Sequence, residues 1–382
     1  MSTKIKINSQ IFQDSNNIYY PKDESEVSDL IRELYKQDSP TEIIGNNSKS
    51  FIGNKTQSAN TTSLSKISGI IDYRPEELYI KVKACTPINE IEQVLSENNQ
   101  ELAFEPIDFG YIKEGKSNKG TIAGYLSCNY AGSRRFKVGS VRDHVLGFKG
   151  VNGKGDIIKS GGTVVKNVTG YDLSKLIAGS FGTLVALTEI TLKVLPKKDS
   201  SKTVIIYPSN FEQIYDFFNK LSSSSSEISI EEKINNLKKE LKLSNSDIST
   251  LDVYQSEPFW KKVNNLEVFE KTEHNLIRMV IPPANGSKLC KYLENNHNYF
   301  VDWCGSLFWI EVNNKKEEKI KDLKKMAKDF GGYLTVIKTS SEYDYGEAIF
   351  TVDKVRLMIS EKVKQSFDPK RILNPGKMYR GV

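Results

Sequence analysis

The chain has 382 residues, of which 38% are hydrophobic, 10% aromatic and 27% charged. That is ample material for a core, so a wholly disordered chain is excluded, and the length suggests two domains or three. Lys plus Arg number 54 and Asp plus Glu 48, a net charge of +6; the basic residues are spread along the chain, so no nucleic-acid partner is expected.

The four cysteines, Cys85, Cys128, Cys290 and Cys304, form no CxxC pair, and the three histidines, His144, His274 and His297, are scattered. A zinc site or iron–sulfur cluster is hard to build from such a set, so no metal is expected. The first residues lack an apolar signal core. No apolar run approaches the ~20 residues of a bilayer span. These features point to a reduced, cytoplasmic compartment and to no direct membrane span.

The N-terminal region reads as a small α/β unit. Tyr19-Tyr20-Pro21 ends an extended piece. Asp23 or Ser25 can cap a helix carrying Val27, Leu30, Ile31 and Leu34 on one face. Glu42 to Ile44 is a short strand running into Gly45, and Leu78 to Val82 alternates like a half-buried strand. Pro87 opens a helix with Ile88, Ile91, Val94 and Leu95 as its stripe, ended by Asn98-Asn99. Val145 to Val151, a Gly153-Lys154-Gly155 turn and Asp156 to Lys159 read as a hairpin. Thr183 to Leu195 is a long strand stopped by Pro196.

From Thr203 the pattern changes. Val204 to Tyr207 is a strand, Glu212 to Leu221 a helix, Ser222 to Ser226 a flexible loop, and Glu231 to Leu251 an exposed helical insertion. Strands at Leu276 to Ile281, Ser306 to Val312 and Tyr333 to Ile337 alternate with helices near Lys288 to Asn295 and Lys316 to Phe330. That order suggests a sheet with helices on one face. The chain ends in a basic helix and two Asx-Pro turns, at Asp368-Pro369 and Asn374-Pro375, which fix the path of the terminus.

Gly110 to Ser117 fits the pattern GxxxxGK[ST], but Pro106 breaks the preceding segment and Asn118-Lys119-Gly120 opens a helix poorly, so a chance match is favoured over a phosphate loop. A GxGxxG dinucleotide fingerprint is absent. Three other glycine-containing segments are more telling. Ile44-Gly45-Asn46-Asn47-Ser48-Lys49 lets a strand end in small or αL-tolerant residues, whose successive N–H groups can cradle a pyrophosphate; the bland alternative is an ordinary Gly-Asn turn. Gly120-Thr121-Ile122-Ala123-Gly124 lets a flat ring lie on the backbone. Lys166 to Leu173 leads into Gly179 to Thr183, and each segment alone could be turn chemistry.

Together their order and wording resemble one family, the FAD-binding domain of vanillyl-alcohol-oxidase and p-cresol-methylhydroxylase flavoproteins. Residues 40–200 carry the likeness, with VRDHVLG at Val141–Gly147 and GYDLSKLIAGSFGTL at Gly170–Leu184. KNVTGYDLSKLIAGSFGTL and the ending FDPKRILNPGKMY are similar to the FAD-binding subunits of glycolate oxidases. The resemblance implies an α+β fold: a two-part FAD domain over 1–200, a smaller ferredoxin-like cap over 201–348, and a C-terminal segment over 349–382 returning to the FAD domain.

It also implies roles, residue by residue. Ile44, Gly45, Asn46, Asn47, Ser48 and Lys49 would hold the pyrophosphate of a non-covalent FAD. Gly120, Thr121, Ile122, Ala123 and Gly124 would line the pyrophosphate and flavin, with Arg142 and Asp143 in the family's VRD motif. Gly182, Thr183 and Val185 would approach the adenosine half. Asn374 and Lys377 would return toward the flavin ring, where a cation stabilises charge on the reduced ring. Lys166, Tyr171 and His144 are further catalytic candidates. The implied function is oxidation of glycolate or a related small 2-hydroxy acid, with electrons leaving to a second flavoprotein subunit and an iron–sulfur subunit. A stand-alone 2-hydroxy acid dehydrogenase and a non-catalytic scaffold are the alternatives. The sequence departs from the hydroxyacid-oxidising relatives in lacking their HxGDGNxH string, and it has Asn46 and Asn47 where the family loop often has glycine.

Overall fold

A computed structural model of the chain describes residues 11–163, 171–207, 213–215, 217–218, 230–242, 244, 248–270, 272–313, 318–339, 350–379 and 382. The chain divides into two compact units, one of Met1–Lys197 with Asp344–Val382, the other of Lys198–Tyr343.

Among the described residues the first unit has two main sheets, besides a two-stranded pair of Gln100–Glu101 with Leu195–Pro196. One runs in the order Phe12–Gln13, Ile18–Tyr20, Asn60–Ser63, Thr41–Ile44, with the last three strands parallel. Helix Glu24–Lys36 provides the crossover. Asp23 caps it by accepting from the Glu26 N–H at 2.9 Å, which settles the choice between Asp23 and Ser25 and stabilises the helix by about 1 kcal/mol. Val27, Leu30, Ile31 and Leu34 are fully buried, as the 3.6-residue period requires, each contributing roughly 1.5–3 kcal/mol. They pack with Leu64, Ile67, Val151, Ile372 and Leu373, so the C-terminal segment is part of this core.

The second sheet is antiparallel, ordered Ile70–Arg74, Tyr79–Lys83, Val185–Lys193, Val145–Asn152, Ile157–Gly161. Helices Ile88–Ser96 and Ile122–Cys128 cover it with Ile88, Ile91, Leu95, Ile122, Tyr125 and Leu126. The hairpin turn at Gly153 to Gly155 is where the sequence puts it. Leu78 is not in the strand: it sits in the left-handed region at φ 56° and ends a turn of 3-10 helix. The GxxxxGK[ST] match is structural. Asp108, 1% exposed, accepts from the Gly110 and Asn118 N–H groups and the Ser117 hydroxyl, so its carboxylate fills the loop.

The second unit holds a split βαββαβ motif: strand Asn275–Val280, helix Gly286–Leu293, strands Asn298–Asp302 and Leu307–Val312, helix Glu318–Asp329, strand Tyr333–Lys338. Numbered along the motif, its antiparallel sheet has the order 2-3-1-4, which is the ferredoxin-like topology. Three departures from the sequence reading occur here. Strand Asn298–Asp302 hides in a mixed stretch that lacks alternation. Ile248–Leu251 is a strand paired with Thr203–Ile206 instead of the end of a helical insertion. Helix Val253–Asn264 forms despite Pro258, with an Asp252 capping box at its start. The serine run and half of the helix expected at Glu212 to Leu221 lie outside the described residues; the described part of that helix, 213–215 and 217–218, is helical.

Candidate functional site

Strand Thr41–Ile44 ends at Gly45, and the loop that follows forms one wall of a cleft within the first unit. Asn47 adopts φ 51°, the left-handed geometry that asparagine tolerates at little cost, so the loop keeps its shape without glycine there. The N–H groups of Asn46 to Lys49 meet no acceptor among the described residues. A run of backbone donors left without acceptors beside a cleft suits a phosphate.

Two ammonium groups face the same space. Lys49 Nζ donates to the Lys119 carbonyl at 3.0 Å and the Ser48 hydroxyl at 3.3 Å, and lies 4.0 Å from the Tyr125 ring centroid. Burial lowers its amine to about 8, with Cys128 and Asp108 acting weakly the other way. Lys377, 8% exposed, donates to the Ser50 carbonyl at 3.2 Å; burial lowers its amine too, opposed by Glu42. Glu42 is the one carboxylate along the described lining, and it accepts from the Thr56 hydroxyl. Two cations against one carboxylate leave a buried positive excess that an anionic ligand would balance.

The glycines keep the cleft open. Gly120 has φ 77°, and a Cβ there would collide with the Ser48 hydroxyl and reach within 3.1 Å of Lys49 Nζ. A Cβ on Gly45 would stand 2.8 Å from Thr121 Oγ1. Thr121 in turn caps helix Ile122–Cys128. The other walls are apolar or small: Leu64, Ala123, Gly124, Phe181, Gly182, Val185 and Leu187. A site with phosphate-seeking donors at one side and apolar surface beside them fits a dinucleotide with aromatic rings.

Of the residues singled out from sequence, Ile44, Gly45, Asn46, Asn47, Ser48, Lys49, Thr121, Ala123, Gly124, Gly182, Val185, Asn374 and Lys377 line the cleft. Gly120 stands just behind Ser48 and Lys49. Ile122 is fully buried in the core beneath, because its helix turns that face inward. Thr183 is 1% exposed and donates to the Ser180 carbonyl, so it closes a turn and does not reach the space. Arg142 is exposed, and Asp143 caps its own short helix through the Ser140 N–H and hydroxyl, which hold its carboxyl below the ordinary range against the effect of burial. Neither lines the cleft.

His144 is 3% exposed, packed edge-on to Phe104 at 5.5 Å, with Nε2 2.9 Å from the Val138 carbonyl; burial lowers its pKa. It belongs to the core. Tyr171 is 93% exposed and also off the cleft. Lys166 lies outside the described residues. Sequence reasoning missed Glu42, Ile43, Ser50, Leu64, Cys85, Ser127, Cys128, Phe181 and Leu187, which line the cleft from several separate segments. Only Phe181, inside the quoted GSFGTL stretch, carried a signal that could have found it.

Among the described residues no helix is long and apolar enough to cross a membrane, and no group of three or more His, Cys, Asp or Glu could hold a metal ion.

Comparison with known proteins agrees with this geometry. Residues 16–161 match the family described as FAD binding domain. The chain is 28% identical over 376 residues to the glycolate oxidase subunit GlcE of Escherichia coli, covering 91% of this chain and 95% of that one. It is 42% identical over 92 residues to the glycolate oxidase subunit GlcD of Bacillus subtilis, covering 24% and 20%. A D-lactate dehydrogenase of Anaerostipes hadrus is 34% identical over 150 residues, covering 39% and 30%. A solved structure of alkyldihydroxyacetonephosphate synthase superposes with a TM-score of 0.57 at 15% identity, covering 94% of this chain and 77% of that one, a likeness of fold. The first unit carries an FAD-binding domain of the vanillyl-alcohol-oxidase type, and the cofactor is FAD.

Proposed function

We propose that this flavoprotein is the FAD-binding subunit of a glycolate oxidase complex, taking part in oxidation of glycolate or a related 2-hydroxy acid to the 2-oxo acid. The observation that carries the reading is the combination of a cationic, N–H-lined cleft with end-to-end similarity to GlcE, a protein named as a glycolate oxidase subunit. Bound FAD supplies a two-electron acceptor that can release electrons to a partner. In this reading the domains run 1–200, 201–348 and 349–382.

The chain's own residues have defined parts. The N–H groups of Asn46 to Lys49 and the Lys49 ammonium hold the pyrophosphate, and Ser48 orients Lys49 through their hydrogen bond. Lys377, fixed on the Ser50 carbonyl, keeps positive charge in the cleft, which favours negative charge on a reduced ring. The apolar wall of Leu64, Val185 and Leu187 excludes water from the rings. Electrons pass to a second flavoprotein subunit related to GlcD and on to an iron–sulfur subunit, which suits a chain whose cysteines are four and scattered.

The test is the flavin spectrum of the purified chain, alone and with its partner subunits, before and after glycolate is added without oxygen. Flavin bands near ~450 nm that bleach only with the partners present are the expected result. Bleaching of the chain alone would favour the stand-alone dehydrogenase. Bands that persist in the full complex would overturn the proposal.

A further inference from the structure

Asn374 lies at the meeting point of three segments that are far apart in sequence. It is 4% exposed, and its backbone stands at φ 46°. Its Oδ1 accepts from the Ile43 N–H at 2.6 Å, on the strand that delivers the phosphate loop. Its Nδ2 donates to the Phe181 carbonyl at 2.8 Å, on the turn that forms the facing wall. A backbone donor on one side and an acceptor on the other fix the amide's orientation without ambiguity. The main chain adds to the grip: Asn374 N–H donates to the Thr41 carbonyl at 3.1 Å, and Thr41 N–H to the Ile372 carbonyl at 2.8 Å.

The facing turn is shaped around this side chain. Gly182 has φ 71°, and a Cβ there would stand 2.7 Å from Asn374 Nδ2. Beneath, the fully buried Lys364 donates to the Thr183 carbonyl at 2.6 Å and the Leu373 carbonyl at 2.7 Å, so the same two segments are joined a second time, one residue along. Its amide does not ionise in the working pH range, so Asn374 is a structural tie and not a proton-transfer group. Its backbone, however, leads in three residues to Lys377, whose ammonium faces the cleft.

We propose that Asn374 is a positioning residue for FAD: it sets the separation of the phosphate loop from the Phe181–Gly182 turn, and so couples FAD binding to the docking of residues 372–377. The inference rests on FAD as the cofactor and holds whatever the substrate. In Asn374→Asp the acceptor for Ile43 remains while a second oxygen faces the Phe181 carbonyl, so the facing turn is pushed away and the cleft widens.

The experiment is titration of flavin-free protein with FAD, read by flavin fluorescence, beside the melting temperature of the flavin-free form. Asn60→Asp is the control, because Asn60 is a part-buried amide of the same unit that joins Ser39 and Pro40 away from the cleft. The expected result is an FAD Kd raised tenfold or more in Asn374→Asp, while Asn60→Asp stays within twofold of wild type at an equal or larger loss of Tm. A Kd within twofold in Asn374→Asp, or losses of affinity that merely track Tm in both variants, would overturn the proposal. The unaltered protein provides a second reading should the variant not fold. On adding FAD, backbone hydrogen exchange should slow together in residues 41–47, 180–184 and 372–376. Slowing confined to 45–49 would equally refute the coupling.

Discussion

The charge state of Lys49 makes FAD affinity depend on pH in a way that can be worked out from the cleft. In the empty cleft burial lowers the amine to about 8, whereas an ordinary lysine titrates near 10.4. A pyrophosphate beside the amine favours the charged form and restores the ordinary value. The bound state then holds more protons than the free state between about pH 8 and 10.4, so affinity is full below pH 8 and falls as the pH rises through that window. From pH 7 to 9.5 the full shift weakens binding by on the order of 25-fold, or about 1.9 kcal/mol at 1.36 kcal/mol per unit. Because Lys49 is only partly shielded from solvent, that figure is a ceiling. The fold itself has the opposite sign: the unfolded chain binds the proton more tightly, so the flavin-free protein gains stability from this group as the pH rises from about 8 to 10.4. The assay is ADP and FAD binding by calorimetry at pH 7, 8, 9 and 9.5, in wild type and Lys49→Met. The variant should bind weakly at pH 7 and lose most of the pH slope. A flat wild-type profile, or an unchanged slope in Lys49→Met, would refute the reasoning.

Three further outcomes follow from the same geometry. Gly120→Ala should cost about 1–3 kcal/mol of stability in urea unfolding and lower the flavin content of the purified protein, since its Cβ displaces Ser48 at a φ of 77°; full flavin occupancy would count against the packing described. Lys364→Met should destabilise the first unit by roughly 3–5 kcal/mol, because it strands the Asp368 carboxylate, 0% exposed and 2.8 Å from Lys364 Nζ; a loss under about 1 kcal/mol would mean that the Ile372 and Leu373 N–H groups alone satisfy Asp368. Since His144 is held neutral by burial, the unfolded chain binds its proton more readily, so stability present above pH ~6.5 is lost as the pH falls below it. His144→Phe should flatten this acid limb of a Tm profile without altering FAD affinity at pH 7.5, and a changed affinity would return His144 to the site.

Much of this protein is determined locally. The helix at Glu24–Lys36, the hairpin turn at Gly153 to Gly155 and the phosphate loop at Gly45 are read from the sequence because capping, alternation and backbone freedom act over a few residues. The wording of the glycine segments sufficed for FAD. Only tertiary structure decided which candidates share a space. His144, Asp143 and Thr183 sit in the same motifs as true lining residues, yet a helix face, a cap or a turn directs each elsewhere. Strand Asn298–Asp302 forms because its neighbour Leu307–Val312 pairs with it along its whole length, though its own pattern is weak. Glu42, Cys85, Cys128 and Leu187 reach the cleft from strands and helices whose local signal describes only packing. Asn374 takes its meaning from Ile43 and Phe181, which lie 331 and 193 residues away along the chain. Periodicity records the faces that each element buries; the distances between elements, which set the shape of the cleft, depend on how the buried faces pack.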